Sequence, residues 1–158
     1  MAAFHPSSIN TIRYAVDYRL DGTIDRLFAI IRMGVGNSRI DNTHAGGICA
    51  AIDIETGLIV SGGVRQNGDV CLIHPDTGKQ IIGTRIPRWE ELNLLVEQLR
   101  PEPGTTDVHV VGWDLALSVD GWCVVEGNAG PSMMGIQGSM GIGCRTILKR
   151  VLKNQKEK

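Results

Sequence analysis

The sequence has almost no net charge: 16 Lys and Arg stand against 17 Asp and Glu, for a formal charge of -1 at pH 7. That removes any whole-molecule attraction to nucleic acid or to an acidic membrane. Long apolar runs are missing as well. The most apolar stretches, such as Val108 to Val111 and Trp122 to Val125, have strand length and fall far short of a bilayer span. Met1-Ala-Ala-Phe-His5 lacks the apolar segment of a secretory signal, so the chain reads as cytoplasmic, with neither membrane nor nucleic acid as partner. Cys49, Cys71, Cys123 and Cys144 include no CxxC spacing. Buried, reduced thiols without a chemical role are therefore expected, ahead of zinc ligands or disulfides. No HxH or HExxH pattern supports zinc, and His44 and His74 read as surface loop histidines. No GxxxxGK(S/T) run is present, which excludes a P-loop. Internal repeats and low-complexity linkers are absent too.

What is present suits one domain: 158 residues, 42% hydrophobic and 21% charged, enough to bury a core. Asn10 to Arg19 and Leu27 to Met33 are β-prone runs flanking the turn chemistry of Leu20-Asp-Gly-Thr-Ile-Asp25, which predicts an antiparallel pair. Gly34 to Gly47 holds too much Gly and Asn for an element interior and reads as a loop of functional length. Ile48 to Ile54 and Leu58 to Val64 form a second hairpin about Glu55-Thr-Gly57. A polar loop surrounds His74-Pro-Asp-Thr-Gly78. Pro87 to Pro101 has a Pro near its start, acids in its first turn, apolar residues at helical spacing and a Pro at its end, which predicts a helix. Val108 to Ser118 and Trp122 to Glu126 are strands around Val119-Asp-Gly121. A second helix runs from Gln137 or Met140 to about Lys153, with a basic tail. The order predicts an α+β fold, a mainly antiparallel sheet with two helices packed on one face.

The chemistry concentrates late in the chain, in Gly112-Trp-Asp114 and Val124-Val-Glu-Gly-Asn128. Residues two apart on a strand share a face, so Glu126 and Asn128 point together, and a cross-strand Asp114 would complete three oxygen donors. Hard cations such as Mg2+ take such donors, together with phosphates and water. The competing possibility is that Asp114 and Glu126 decorate the solvent face of an ordinary hairpin. Arg32 and Arg13 lie on strands, and a guanidinium suits phosphate or carboxylate, although lone strand arginines are usually solvated. Asp41-Asn42 and Gly46-Gly47 are turn formers before anything else. Gly138-Ser-Met-Gly-Ile-Gly143 has the order GxxGxG, not the dinucleotide fingerprint GxGxxG, although a helix N-terminus near an anion stays open.

Taken together, Asn10-Thr-Ile-Arg13, Ile31-Arg-Met-Gly34, Asp41-Asn-Thr-His-Ala-Gly-Gly47, His74-Pro-Asp-Thr-Gly78, Ile86-Pro-Arg-Trp89, Gly112-Trp-Asp114 and Glu126-Gly-Asn128 resemble the C-terminal half of an ATP-grasp domain. The match runs from about residue 5 to about residue 152 of a single domain, 1–158, and is nearest the sugar-transfer-associated or α-L-glutamate-ligase-related subgroup. The resemblance implies an ATP-dependent ligase in which a carboxylate becomes an acyl phosphate and is then attacked by an amine or similar nucleophile. It implies ATP and Mg2+ (or Mn2+) as cofactors, with Asp114, Glu126 and Asn128 at the metal positions. It gives Arg32 and Arg13 to phosphate or the acyl phosphate as the catalytic pair, and places Asn42, Gly46 and Gly47 on the substrate side as cofactor-binding positions. A nucleotide and a small carboxylate substrate are the implied partners. The lid subdomain, its phosphate-binding lysine and an N-terminal domain have no counterpart in the sequence, so the expectation is a half-site: a fragment of a longer protein, or a chain completed by a second copy or another chain. The alternative is a noncatalytic binding or assembly module that keeps the fold.

Overall fold

Gly22 turns the chain between the first two strands at φ 85°, and the Asp21 carboxylate accepts hydrogen bonds from the Thr23 N–H and hydroxyl at 2.8 and 2.6 Å. This local chemistry fixes the expected pair β1 (Thr11–Tyr18) and β2 (Ile24–Met33), whose register runs from Ile12 opposite Ile31 to Tyr18 opposite Ile24. The computed structural model describes residues 1–19, 21–41, 46–100 and 108–155.

The remaining elements are β3 (Ile48–Ile52), β4 (Gly63–Val64), β5 (Val70–Cys71), α1 (Trp89–Gln98), β6 (Val110–Leu117), β7 (Trp122–Ala129), α2 (Met134–Met140) and α3 (Arg145–Asn154). The strands form one sheet in the order β5-β4-β3-β2-β1-β6-β7, antiparallel at every pairing. The second arm of the β3 hairpin is shorter than expected. The Ser61 hydroxyl, not a main-chain carbonyl, accepts the Ala51 N–H at 2.8 Å, which interrupts the ladder before β4.

Alternation along β1 divides the core in two. Ile12, Tyr14 and Val16 join Ile31, Ile48 and Ala50 beneath Trp89, Leu92 and Val96 of α1. Ala15 joins Phe28, Ile30 and Cys49 on the other face, beneath Ile136 of α2 and Val151 of α3. The antiparallel α+β sheet is as the sequence indicates, but among the described residues the helices number three and are shared between its faces. The late helix splits because Gly141 adopts φ 64° and its N–H caps the Gln137 carbonyl at 2.9 Å, a left-handed stop that glycine makes cheaply. On α1, Trp89 stacks on Tyr14 with ring centroids 5.7 Å apart and donates to the Ile54 carbonyl at 3.1 Å.

Two side-chain expectations are corrected. His74 is fully buried, not a surface residue: its Nε2 donates to the Gly34 carbonyl at 2.9 Å, and it packs beside Phe4 and His5. Of the cysteines, all free, Cys49 and Cys144 are buried as expected, Cys71 is half-buried and Cys123 is exposed on β7. Among the described residues no helix is long and apolar enough to cross a membrane.

Candidate active site

Arg13 on β1 and Asp114 on β6 are direct register partners. Their side chains rise on the face that carries α2, where Arg13 grips the carboxylate with two nitrogens: Nη2 lies 2.8 Å from Oδ2 and Nε engages Oδ1. Arg32 of β2 adds a second cation, with Nη1 3.1 Å from Asp114 Oδ2. Its Nη2 reaches Asp41 Oδ1 at 3.0 Å and its Nε donates to the Thr11 hydroxyl at 3.1 Å. Asp41 closes the chain of contacts by accepting the Thr11 N–H at 2.8 Å and its hydroxyl. Asp114 is 1% exposed and Asp41 4%, so two carboxylates out of water are neutralised by two guanidinium groups.

Burial works to raise the Asp114 carboxyl pKa, but the Arg13 hydrogen bond and the charges of Arg32 and Arg13 outweigh it and hold it below the ordinary range. The reciprocal contact raises the Arg13 guanidinium further, chiefly through its hydrogen bond to Asp114. Asp114 is therefore an ionised carboxylate at neutral pH.

Glu126 stands opposite Asp114 and Asn128 opposite Gly112 on the edge strand β7. The three expected oxygen donors thus share one face. Glu126 is exposed, Asn128 is half-buried, and the Asn128 amide donates to Glu126 Oε1 at 3.1 Å. Gly112 has a packing reason: a Cβ there would sit 2.4 Å from Pro131 Cβ and 3.0 Å from Arg13 Cδ. Its absence lets the glycine-rich loop after β7 close over the stem of Arg13.

Between that loop, the start of α2 and the sheet lies a pocket of about 380 Å³, lined among others by Arg13, Arg32, Arg65, Ile30, Val64 and Met134. Gly46 adopts φ 89° near it, and its carbonyl accepts from Arg65 Nη1 at 3.5 Å; Gly47 is buried at the entry to β3. Asn42 and His44 lie outside the described residues. Three members were not singled out from the sequence. Thr11 was legible, since it sits two residues before Arg13 and shares its face. Asp41 stood inside a quoted motif with only turn chemistry to mark it. Arg65 gave no sequence signal.

A family model described as sugar-transfer associated ATP-grasp matches residues 1–153. The chain belongs to this family. A comparison with curated proteins gives no match. Membership of an ATP-grasp family carries ATP binding and a general ATP-dependent, ligase-like role.

ATP-grasp domains work on ATP with a divalent cation, and the donor set here fits one in kind. Asp114, Glu126 and Asn128 offer only oxygen, which suits Mg2+ or Mn2+. Among the described residues no group of three or more His, Cys, Asp and Glu could hold a metal by itself, so the Asn128 amide oxygen would be needed. Both oxygens of Asp114 are engaged by arginine, so a cation would share that carboxylate, whereas Glu126 is exposed and accepts from the Asn128 amide.

Proposed function

We propose that this face is the metal- and phosphate-binding wall of an ATP-dependent carboxylate ligase. The supporting observation is the Arg13-Asp114-Arg32 array, whose arginines line a pocket, beside the exposed Glu126 and the half-buried Asn128. A guanidinium has five N–H donors. Arg13 directs two at Asp114 and Arg32 directs three at Thr11, Asp41 and Asp114, so both keep donors for phosphoryl oxygens. Asp114 and Asp41 hold those cations in place without a ligand, so no reorganisation is needed when negative charge develops.

In this reading a carboxylate oxygen of the substrate attacks the γ-phosphorus and ADP leaves, giving an acyl phosphate. An amine then attacks the acyl carbon, phosphate leaves, and the amine loses a proton to give an amide. Asp114, Glu126 and Asn128 would hold Mg2+, which supplies neutralisation of phosphate charge. Arg13 and Arg32 align and neutralise the transferring group, and the chemistry needs no nucleophilic side chain. Glu126 is open to solvent and Asn128 only half-buried, so this wall covers ATP from one side; the rest of the enclosure comes from elsewhere in the polypeptide, a second copy or another chain. The reading implies the cytoplasm, in keeping with four unbridged cysteines.

One observation favours the noncatalytic alternative: β7 is an edge strand that exposes Val124 and Val125, a surface suited to strand pairing. Calorimetric titration with ATP, with and without Mg2+, separates the two. The ligase reading expects Mg2+-dependent binding that weakens at least about tenfold in Glu126→Ala and Asn128→Ala, a loss of about 1.4 kcal/mol. No nucleotide binding, together with dilution-dependent sedimentation, would instead support the assembly module.

A further inference from the structure

The three guanidinium groups of the pocket are not equally neutralised. Arg13 is paired with Asp114, and Arg32 with both Asp114 and Asp41. Arg65, half-buried just past β4, has no carboxylate partner among the described residues. Its side chain makes one long hydrogen bond, 3.5 Å to the Gly46 carbonyl. Its main chain is fixed, because its N–H donates to the Asp69 carbonyl at 2.9 Å and its carbonyl accepts the Gly68 N–H at 3.0 Å. Of the three cations lining the pocket, Arg65 alone has no carboxylate within ion-pair distance among the described residues.

The space between is apolar: Ile30, Val64 and Met134 line it, and burial pushes the Cys49 thiol up, so it is neutral there. A volume of about 380 Å³ falls in the lower part of the range for small-molecule sites. Gly135 brings α2 close, since a Cβ there would meet Ile30 Cδ1 at 2.6 Å, and the floor is correspondingly shallow.

We propose that Arg65 is the specificity-determining residue of this pocket, and that the substrate is a short aliphatic diacid. One carboxylate would take one of the remaining donors of Arg13 or Arg32, the others being left for the phosphoryl oxygens. The other would pair with Arg65 and stay unreacted, with the carbon chain against Ile30, Val64 and Met134. The assignment of the reacting end rests on the ligase reading; the anion site at Arg65 does not. An arginine fork suits a planar carboxylate that must be held while chemistry proceeds elsewhere.

The test is a chemical-shift titration of the 15N-labelled 17.1 kDa chain with glutarate and with butyrate, each repeated in Arg65→Ala and Arg65→Lys. Saturable shifts at Gly68 and Gly135 are expected, with glutarate at least about tenfold tighter than butyrate, the effect of one charge-assisted contact. Arg65→Ala should lower glutarate to the butyrate level, Arg65→Lys should restore part of the difference, and calorimetric Mg2+-ATP affinity should be the same in all three proteins. Equal glutarate affinity in the parent and Arg65→Ala, or no glutarate binding to the parent, would overturn the proposal. Glutarate binding through Arg65 in a chain that ignores Mg2+-ATP would sink the ligase reading and leave the Arg65 site standing.

Discussion

Asp114 and Glu126 face each other across the β6–β7 register, yet the first is 1% exposed and the second is open to solvent. The register shifts just past this pair, between Asp114 and Leu115, and Arg13 and Arg32 fold over the Asp114 side. Two carboxylates that look equivalent in sequence therefore have different physical roles.

The difference sets the first prediction. Removing the Asp114 carboxylate leaves Arg13, whose side chain is 13% exposed, without its carboxylate partner, and strips one from Arg32 at 18%. Losing one member of a buried ion pair costs about 3–5 kcal/mol, so Asp114→Ala should lower the urea midpoint strongly. Glu126→Ala should change stability by less than about 0.5 kcal/mol. Similar losses in both variants would contradict the burial asymmetry, and Glu126→Ala is the cleaner probe of metal-dependent binding.

Two pH windows follow from the lowered pKa values. Burial depresses the His74 pKa, with His5 and Arg65 adding to it, while the Gly34 carbonyl and Asp76 pull the other way. The native state therefore gives up this proton more readily than the unfolded chain does. Stability from His74 is full above the unfolded pKa of about 6.5 and declines as pH falls below it. Asp114 is also depressed, so its contribution is full above the unfolded value of about 3.9 and is lost at still lower pH. Melting temperatures between pH 7.5 and 5 should fall in the parent and stay flatter in His74→Gln, which keeps an N–H donor for the Gly34 carbonyl. Parallel curves would remove His74 as the cause.

Much of this architecture could be read from local signals. Asp21-Gly22 marks the first hairpin, and the spacing of Trp89, Leu92 and Val96 marks α1. What escaped depends on partners distant in sequence. His74-Pro-Asp-Thr-Gly78 does make the expected turn, with Gly78 N–H 2.9 Å from the His74 carbonyl, but the burial of His74 comes from Gly34, 40 positions away. The ionised, buried state of Asp114 is set by Arg13, 101 positions earlier. Of the candidate site, the Asp114, Glu126 and Asn128 face was legible from strand alternation. The charge left on Arg65 was not, because it emerges only when β4 is laid beside the other arginines.

Gly112 offers a steric test of how the loop is held on the site. A Cβ would overlap Pro131 Cβ at 2.4 Å and crowd Arg13 Cδ at 3.0 Å, and neither a ring nor a strand-anchored stem yields easily. Gly112→Ala should cost about 1–3 kcal/mol, the usual penalty for overpacking. It should also weaken Mg2+-ATP binding by displacing Arg13. An unchanged urea midpoint would mean that the Pro131 loop moves aside freely and does not hold the arginine.

Arg32 and Arg13 should differ in what a lysine can replace. The three Arg32 nitrogens reach three residues: Thr11 at 3.1 Å, Asp41 at 3.0 Å and Asp114 at 3.1 Å. A compact ammonium on a single stem does not span that triangle, so Arg32→Lys should lose about 1.5–3 kcal/mol, the range for hydrogen bonds to charged groups. Among the described residues the Arg13 side chain hydrogen-bonds only Asp114, and Arg13→Lys keeps a cation beside it, so the loss should be smaller. A double-mutant cycle with Asp41→Asn decides whether the wiring is as described. Arg32→Lys should couple to it by about 0.5–3 kcal/mol, while Arg13→Lys, whose side chain does not touch Asp41, should be additive within about 0.5 kcal/mol. Equal coupling from both would mean that Asp41 acts on the site as a diffuse charge and does not hold Arg32 in its geometry.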